Sequence, residues 1–222
     1  SPVSGSNRWK RPGAPFAAFD GYFFKELTTW PGEFHIPPNQ IQDILPQHIL
    51  MLKAVKQALA DASISTRPAD TETPRHDMGC AIGIDFDYGA TDFHLRWELS
   101  DFDQKTRSIV SPPLTFNRTL GALGGIVASR VAREFNLGGP CFTLSAGAAS
   151  GMKAIDAACH SLSRHETSVF ICGSVDLAGD MRQNLAALAA GPRDPSILSA
   201  EGSGAVILKR LDQAIADNDR IY

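Results

Sequence analysis

The stretch GPCFTLSAGAASGMKAID, residues 139–156, passes from an apolar strand pattern straight into a helical one. A chain that turns from strand to helix without a loop aims the unpaired N–H groups of the helix start at the corner. The partial positive charge there stabilises an anion. A cysteine at such a corner becomes a thiolate nucleophile, and a carbonyl oxygen held there is polarised by the same N–H groups. The architecture therefore suits acyl transfer through a thioester. Yet this corner holds Gly147, Ala148 and Ala149, none with a reactive side chain. What is left for chemistry is backbone, and the N–H groups of Ala148 and Ala149 are the candidate donors.

Other reactive side chains are weaker candidates. Cys141 lies on the strand leading to the corner, not at a helix start, so it reads as structural. Ser145 and Ser150 flank the corner with no base nearby in the pattern, which suits caps or core polar contacts. His160 and His165 fall at and beyond the end of the following helix, where the C-terminal dipole favours them on a surface. His94 and Arg96 in DFHLRW, and Asp85 with Asp87, read as structural and loop-surface residues. Gly202 and Gly204 lack the Lys-Ser/Thr of a phosphate loop, so close backbone packing is their expected role.

The elements that must position this corner are legible from periodicity. IQDILPQHILMLKAVKQALADA (41–62) has helical spacing with Ile49, Leu52, Val55 and Leu59 on one face, and Pro46 suits the first turn. MGCAIGID (78–85) is a buried strand, and a short helix is expected around 92–99. TLGALGGIVASRVAREF (119–135) reads as one helix with a stripe of Leu120, Leu123, Val127 and Val131. Its Gly121, Gly124 and Gly125 each cost about 1 kcal/mol against alanine, for which close helix packing is the simplest reason. CFTLS (141–145) is a strand and 149–163 the helix after it, with Ala148, Met152, Ile155, Cys159 and Leu162 expected along its apolar side. TSVFICGSV (167–175) is a buried strand, 181–190 a helix, 191–199 a loop and 202–211 a further strand. Residues 212–222 begin another unit. Strands alternating with helices imply an α/β chain with a mostly parallel sheet.

The 222 residues, 43% apolar, can form a sizeable core. A net charge of −3 gives no electrostatic reason to expect nucleic acid or an anionic membrane as partner. No apolar run reaches the roughly 18 residues of a membrane span. The N-terminus has no signal-peptide core and reads as a frayed end or a cut from a longer protein. Cys80, Cys141, Cys159 and Cys172 fit neither a metal motif nor a disulfide framework, and each lies in an apolar stretch; a reducing, cytoplasmic location is expected.

NLGGPCFTLSAGAASGMKAIDAACHSL resembles the nucleophile region of β-ketoacyl-acyl carrier protein synthases. Those enzymes read Gly-Leu-x-Gly-Pro-Ser, three residues, Asp-Thr-Ala-Cys-Ser-Ser-Ser-Leu, then a helix with a late Ala-Cys-x-Ser-Leu. Gly139 and Pro140 take the family's Gly-Pro, and Ala158, Cys159, Ser161 and Leu162 its late helix positions. The active-site cysteine falls on Ala148. SRVAREFNLGGP places Arg130 on the family's arginine. Pro46 and Gln47 match its Asp-Pro-Gln, with Leu45 for the aspartate. AEGSGAVILKRLDQAIADNDRIY is similar to its Gly-Glu-Gly-Ala-Gly-Val-Val-Leu-Lys-Arg-Leu segment and the Asp-Arg-Ile-Tyr that follows. Residues 83–99 are closer to the ketosynthase-like domains of bacterial polyunsaturated fatty acid synthases and related polyketide lines.

The resemblance implies the N-terminal half of a thiolase-like fold: a central mixed, largely parallel sheet covered by helices, with the elbow helix buried in the middle. Residues 1–34 are then an irregular extension and 35–222 the domain, with the C-terminal half of the fold and its two histidines beyond Tyr222. Ser145, Ala146 and Gly147 replace Asp-Thr-Ala, and Ala149 and Gly151 replace serines. The Phe-Asp element between Asp176 and Glu201 is not recognisable. Several losses together suit a naturally degenerate, chain-length-factor-like domain. An engineered cysteine-to-alanine change at position 148 in an active synthase is an alternative, as is a malonyl-thioester decarboxylase using the elbow N–H groups. The implied partners are an active ketosynthase or a second copy of the chain, and phosphopantetheinyl acyl carrier protein, with no bound cofactor or metal. In this fold the strand before the elbow lies near the dimer axis, which makes Cys141, Phe142, Thr143 and Leu144 the interface candidates.

Overall fold

A computed structural model describes residues 3–4, 20–24, 26–66, 73–85, 88–111, 113–180, 189–191 and 198–222. Its strands are β1 (Val3–Ser4), β2 (Asp20–Tyr22), β3 (Met78–Ile84), β4 (Cys141–Leu144), β5 (Val169–Leu177) and β6 (Ser199–Lys209). Its helices are α1 (Pro46–Asp61), α2 (Tyr88–Glu98), α3 (Gln104–Val110), α4 (Phe116–Gly121), α5 (Ile126–Phe135), α6 (Ser150–Ser163) and a short α7 (Leu211–Ala216). A 3-10 turn at Pro38–Asp43 precedes α1. The sheet order is β1-β2-β6-β5-β3-β4. β3 runs parallel to both β4 and β5, β5 is antiparallel to β6, and β2 is parallel to β6. This is the mixed α/β arrangement the alternating pattern implies.

The two faces of the sheet are covered unequally. On one, Cys80 and Ile82 of β3 and Val169, Ile171 and Val175 of β5 meet α1 and α5 through Met51, Leu52, Val55, Val127 and Val131. On the other, Ala81, Phe170 and Cys172 meet Ala154, Ala158 and Leu162 of α6. Strand alternation sends successive residues to opposite faces, so β5, clad on both, is apolar nearly throughout. Small residues on α6 let the helix come down close, and Gly79 on β3 leaves room for the Phe170 ring, which an added Cβ would meet at 2.8 Å.

Several expectations are corrected. The single helix over 119–135 is two: α4 ends at Gly121, and α5 begins at Ile126. Gly121 does pack closely, since an added Cβ would meet Leu45 at 2.5 Å, but Gly124 and Gly125 stand in open space and mark the break. Leu123 in that break is exposed, not part of a stripe. The helix expected over 92–99 starts earlier, at Tyr88. Residues 1–34 are not wholly irregular: β2 is a strand of the sheet, and Phe23 and Phe34 are buried. A Cβ added to Gly202 or Gly204 would meet no atom within 4 Å, so these glycines line open surface and are not packed. The helix expected over 181–190 falls largely outside the described residues.

His48 sits on α1 with only 1% of its surface exposed, and neither ring nitrogen has a hydrogen-bond partner among the described residues. Burial, with the nearby Arg130 charge, pushes its pKa down to about 3 from an ordinary 6.5. Between those values the unfolded chain binds the extra proton and the folded one does not. Stability is therefore retained above the unfolded value and lost as pH falls from 6.5 toward 3. We expect His48→Leu to flatten this pH dependence and move the acid transition to lower pH, as read by far-ultraviolet circular dichroism along an acid titration.

Candidate functional site

The corner is built by three elements converging on one hydroxyl. β4 ends at Leu144, residues 145–149 turn, and α6 begins at Ser150. Gly147 takes a left-handed backbone, φ 56°, which glycine adopts without a Cβ penalty. Ser150 is 3% exposed, and its Oγ accepts the Ala146 N–H at 2.9 Å. The same hydroxyl reaches the Ile84 carbonyl at 2.9 Å and the Gly147 carbonyl at 2.6 Å. One hydroxyl has one proton, so it donates to one of these at a time. In either state it ties the end of β3 or the turn itself to the helix start.

The first turn of α6 lies directly on Gly83. A Cβ there would stand 2.5 Å from the Ser150 carbonyl carbon and 2.6 Å from the Gly151 nitrogen. Gly151 in turn faces Ser174 of β5, where a Cβ would meet the side chain at 3.1 Å. Two glycines, one on the strand and one on the helix, thus set the height of the elbow above the sheet.

The residues singled out from sequence are placed as follows. Ala148 and Ala149 are exposed at the corner. The Ala149 N–H is not a free donor: it bonds the Ala146 carbonyl at 3.2 Å, closing the turn. The Ala148 N–H makes no such bond among the described residues. Cys141, Phe142, Thr143 and Leu144 form β4, the edge strand of the sheet, and all four are part-exposed. Phe142 packs edge-on to Phe170 at 6.3 Å between centroids. Thr143 Oγ1 is buried without a partner among the described residues.

The side of α6 turned away from the sheet carries a correction. Met152 is 69% exposed and Cys159 is exposed, although helical spacing predicts both on the inward apolar stripe. The buried positions are Ala154, Ala158, Ser161 and Leu162. The elbow helix is therefore not buried in the middle; it is covered by the sheet on one side and open on the other. Val206 of β6, paired with Cys172 and so on the same sheet face, is also 46% exposed.

Electrostatically the open end of the sheet is negative. Asp176, two residues beyond the Ser174 that α6 touches, has its carboxyl raised by burial and then by the charges of Asp85 and Glu201. Glu201 also accepts the Phe24 N–H at 3.0 Å. A helix start that stabilises an oxyanion is served by the opposite sign. Asp87 lies outside the described residues, so a pair with Asp85 is not formed among them. Arg96 spends its guanidinium on the carbonyls of Arg107 and Ser111, at 3.2 and 2.5 Å. His160 lies on the surface beside Asp156 at 3.7 Å. Among the described residues no group of three or more His, Cys, Asp or Glu is placed to hold a metal, and no helix is long and apolar enough to cross a membrane.

Ser150 is one of the core polar contacts its position suggests, but its partner on β3 and the role of Gly83 are not read from the sequence. The signal available was slight: a glycine near the end of one strand pattern and a serine at a helix start far along the chain. Only the fold brings them together.

Comparison with known proteins places this geometry. The family model for the β-ketoacyl synthase N-terminal domain matches residues 17–214. A non-reducing polyketide synthase of Macrophomina phaseolina is 30% identical over 220 residues, 94% of this chain and 9% of that protein. Polyketide synthase PksR of Bacillus subtilis is 27% identical over 218 residues, 91% of this chain and 8% of that protein. The chain thus spans under a tenth of the length of these relatives. Among solved structures, a ketosynthase from module 6 of the Bacillus subtilis bacillaene synthase superposes with a TM-score of 0.65 at 24% identity. It covers 85% of this chain and 30% of that one. A β-ketoacyl synthase from Burkholderia phymatum gives 0.65 at 20% identity, covering 87% of this chain and 48% of that one.

The corner's dependence on Ser150 is measurable. Ser150→Ala leaves the Ala146 N–H without its acceptor, and we expect a loss of about 1–3 kcal/mol in urea denaturation, with faster amide exchange at Ala146. Gly83→Ala, which drives a methyl into the Ser150 backbone, should destabilise at least as much.

Proposed function

This chain belongs to the β-ketoacyl synthase family as its N-terminal domain, and we propose that it is a non-catalytic, chain-length-factor-like member. It supports acyl-chain elongation within a fatty acid or polyketide synthase located in the cytoplasm. The observation that carries this reading is the methyl of Ala148 at the strand-to-helix corner where the family's nucleophile would stand. Three further features support it. The Ala149 N–H is consumed by the turn. The neighbouring carboxylates of Asp85, Asp176 and Glu201 oppose anion stabilisation. The corner itself is nonetheless kept in good order by Ser150 and Gly83, as a site retained for its shape would be.

The partners follow from what the fold leaves open. The outward side of α6, with Met152 and Cys159, together with Val206 on β6, is the surface that the C-terminal half of the thiolase fold covers in this reading. A side chain of this size gains about 1.5–3 kcal/mol on full burial, so the covering half is a strong requirement. β4, with one free backbone edge, pairs with an active ketosynthase or a second copy through Cys141, Phe142, Thr143 and Leu144. Phosphopantetheinyl acyl carrier protein delivers the chain to the active partner. No cofactor is held by this chain itself.

An active synthase with an engineered Cys→Ala at position 148 is separated from this reading by the codon at that position in the native gene, and a malonyl-thioester decarboxylase by mass spectrometry. We expect the chain, incubated with acyl- or malonyl-loaded carrier protein, to acquire no covalent acyl group and to release no carbon dioxide. An acyl adduct, or carbon dioxide release abolished by Gly147→Pro, overturns the proposal. The open face gives a second check. The purified 222-residue chain should bind an apolar-surface dye or self-associate in size-exclusion chromatography; a clean monomer that binds none would contradict the exposed docking face.

A further inference from the structure

Two thiols outside the corner are brought side by side by the sheet. In the parallel pairing of β3 with β4, Cys80 and Cys141 are Cα partners. Neighbouring strands lie about 4.8 Å apart, inside the Cα separation of about 4.4–6.8 Å that a disulfide spans. Both side chains belong to the face packed by α5: Cys80 sits in that core, and Cys141 packs against it. Cys80 is wholly buried, 3.9 Å from the Ala128 carbonyl, whereas Cys141 is part-exposed on the edge strand. One thiol therefore meets solvent and the other stands directly behind it.

We propose that Cys141 is a covalent modification site, oxidised by hydrogen peroxide and resolved by Cys80 into a reversible disulfide between β3 and β4. Cys80 carries the S–H donor beside Cys141; that neighbour lowers the Cys141 pKa, while the pairing and burial raise that of Cys80. Of the two sulfurs, the solvent-facing one is the more readily ionised. In the first step the Cys141 thiolate attacks the peroxide O–O bond, giving Cys141–SOH and, with a proton from solvent, one water. In the second the Cys80 sulfur displaces hydroxide from Cys141, the S–S bond forms, and the Cys80 proton leaves in a second water. Two electrons pass from the two sulfurs to one peroxide.

The geometry also makes the bond reversible. Side chains directly opposed in a parallel pair stand about one strand spacing apart, wider than the about 3.8 Å Cβ separation of a relaxed disulfide. The short edge strand β4 must shift inward to close it, and strained disulfides are readily reduced by small thiols. The pairing proposed for β4 uses its free backbone edge, while Cys141 projects from the face of the sheet. The two proposals do not depend on each other. Cys159 and Cys172 are the internal comparison. Cys159 is more exposed and Cys172 is buried; Cys172 bonds the Ala154 carbonyl at 3.5 Å and has its pKa pushed up to about 12 by burial and then by Cys159.

The test uses the full chain with Cys159→Ser, exposed to equimolar hydrogen peroxide, blocked with N-ethylmaleimide under denaturing conditions and mapped by tryptic mass spectrometry. We expect one cross-linked species joining the Cys80 and Cys141 peptides, abolished by dithiothreitol. Cys80→Ser, which keeps a donor, should oxidise at Cys141 at nearly the same initial rate but stop at a dimedone-trappable sulfenic acid. Cys80→Ala, which removes the donor, should slow that oxidation several-fold at neutral pH, with circular dichroism confirming that both variants are folded. Cys80 still alkylatable after Cys141 has oxidised, or a Cys141 rate unchanged in Cys80→Ala, overturns the proposal.

Discussion

The elbow depends on a single buried hydroxyl. Ser150 Oγ is where the end of β3, the exit from β4 and the start of α6 meet, and it is the only side chain whose polar atom touches all three among the described residues. Its reach is possible because Gly83 has no Cβ beneath the first turn of the helix. A buried backbone N–H without a partner costs more than an ordinary hydrogen bond contributes. The arrangement of Ser150 over Gly83 therefore fixes the height and direction of α6 more tightly than its modest apolar contacts could. The polar contacts of this scaffold are made by Ser150 with backbone groups of Ile84, Ala146 and Gly147, and Ala148 is exposed above them.

The second governing feature is the unequal cladding of the sheet. α1 and α5 bring large side chains to one face; α6 brings alanines to the other. A helix that packs with alanines lies close to its sheet and buries little area, so its own cohesion with the sheet is limited by size. Its longer apolar side chain, Met152, points away from the sheet. That polarity is what a helix has when it is one layer of a larger stack. The match of the chain to an N-terminal domain, and its coverage of only 30–48% of the two ketosynthase structures described, agree with it.

Much of the fold is legible along the chain. Pro46 as a helix start, the buried run of β3, the strand-corner-helix at 141–163 and the strand run of β6 follow patterns of period and turn chemistry that act over a few residues. Pattern and structure part where a residue's role depends on something distant. Gly124 and Gly125 look like packing glycines in a helical stripe, but no neighbour lies over them and the chain breaks there. Met152 and Cys159 look inward-facing because they are apolar at helical spacing, yet the inward face is made by residues small enough to approach the sheet. Phe23 and Phe34 belong to the core, although the segment around them has no periodicity of its own.

Most strands and helices, their α/β assembly, and a strand-to-helix corner that carries the methyl of Ala148 can all be read from the order of residues. Those are local properties: backbone propensity, alternation of apolar residues and the identity of one side chain. Four other facts come from the folded chain. Ser150 holds the corner from beneath, the Ala149 N–H is already spent, α6 has an open side, and Cys80 and Cys141 stand opposite one another. Each of these joins residues from different elements, Ser150 with Ile84 or Cys80 with Cys141, or depends on which atoms happen to lie overhead. Such pairings are set by sheet register and helix height, quantities that exist only once the chain has closed on itself.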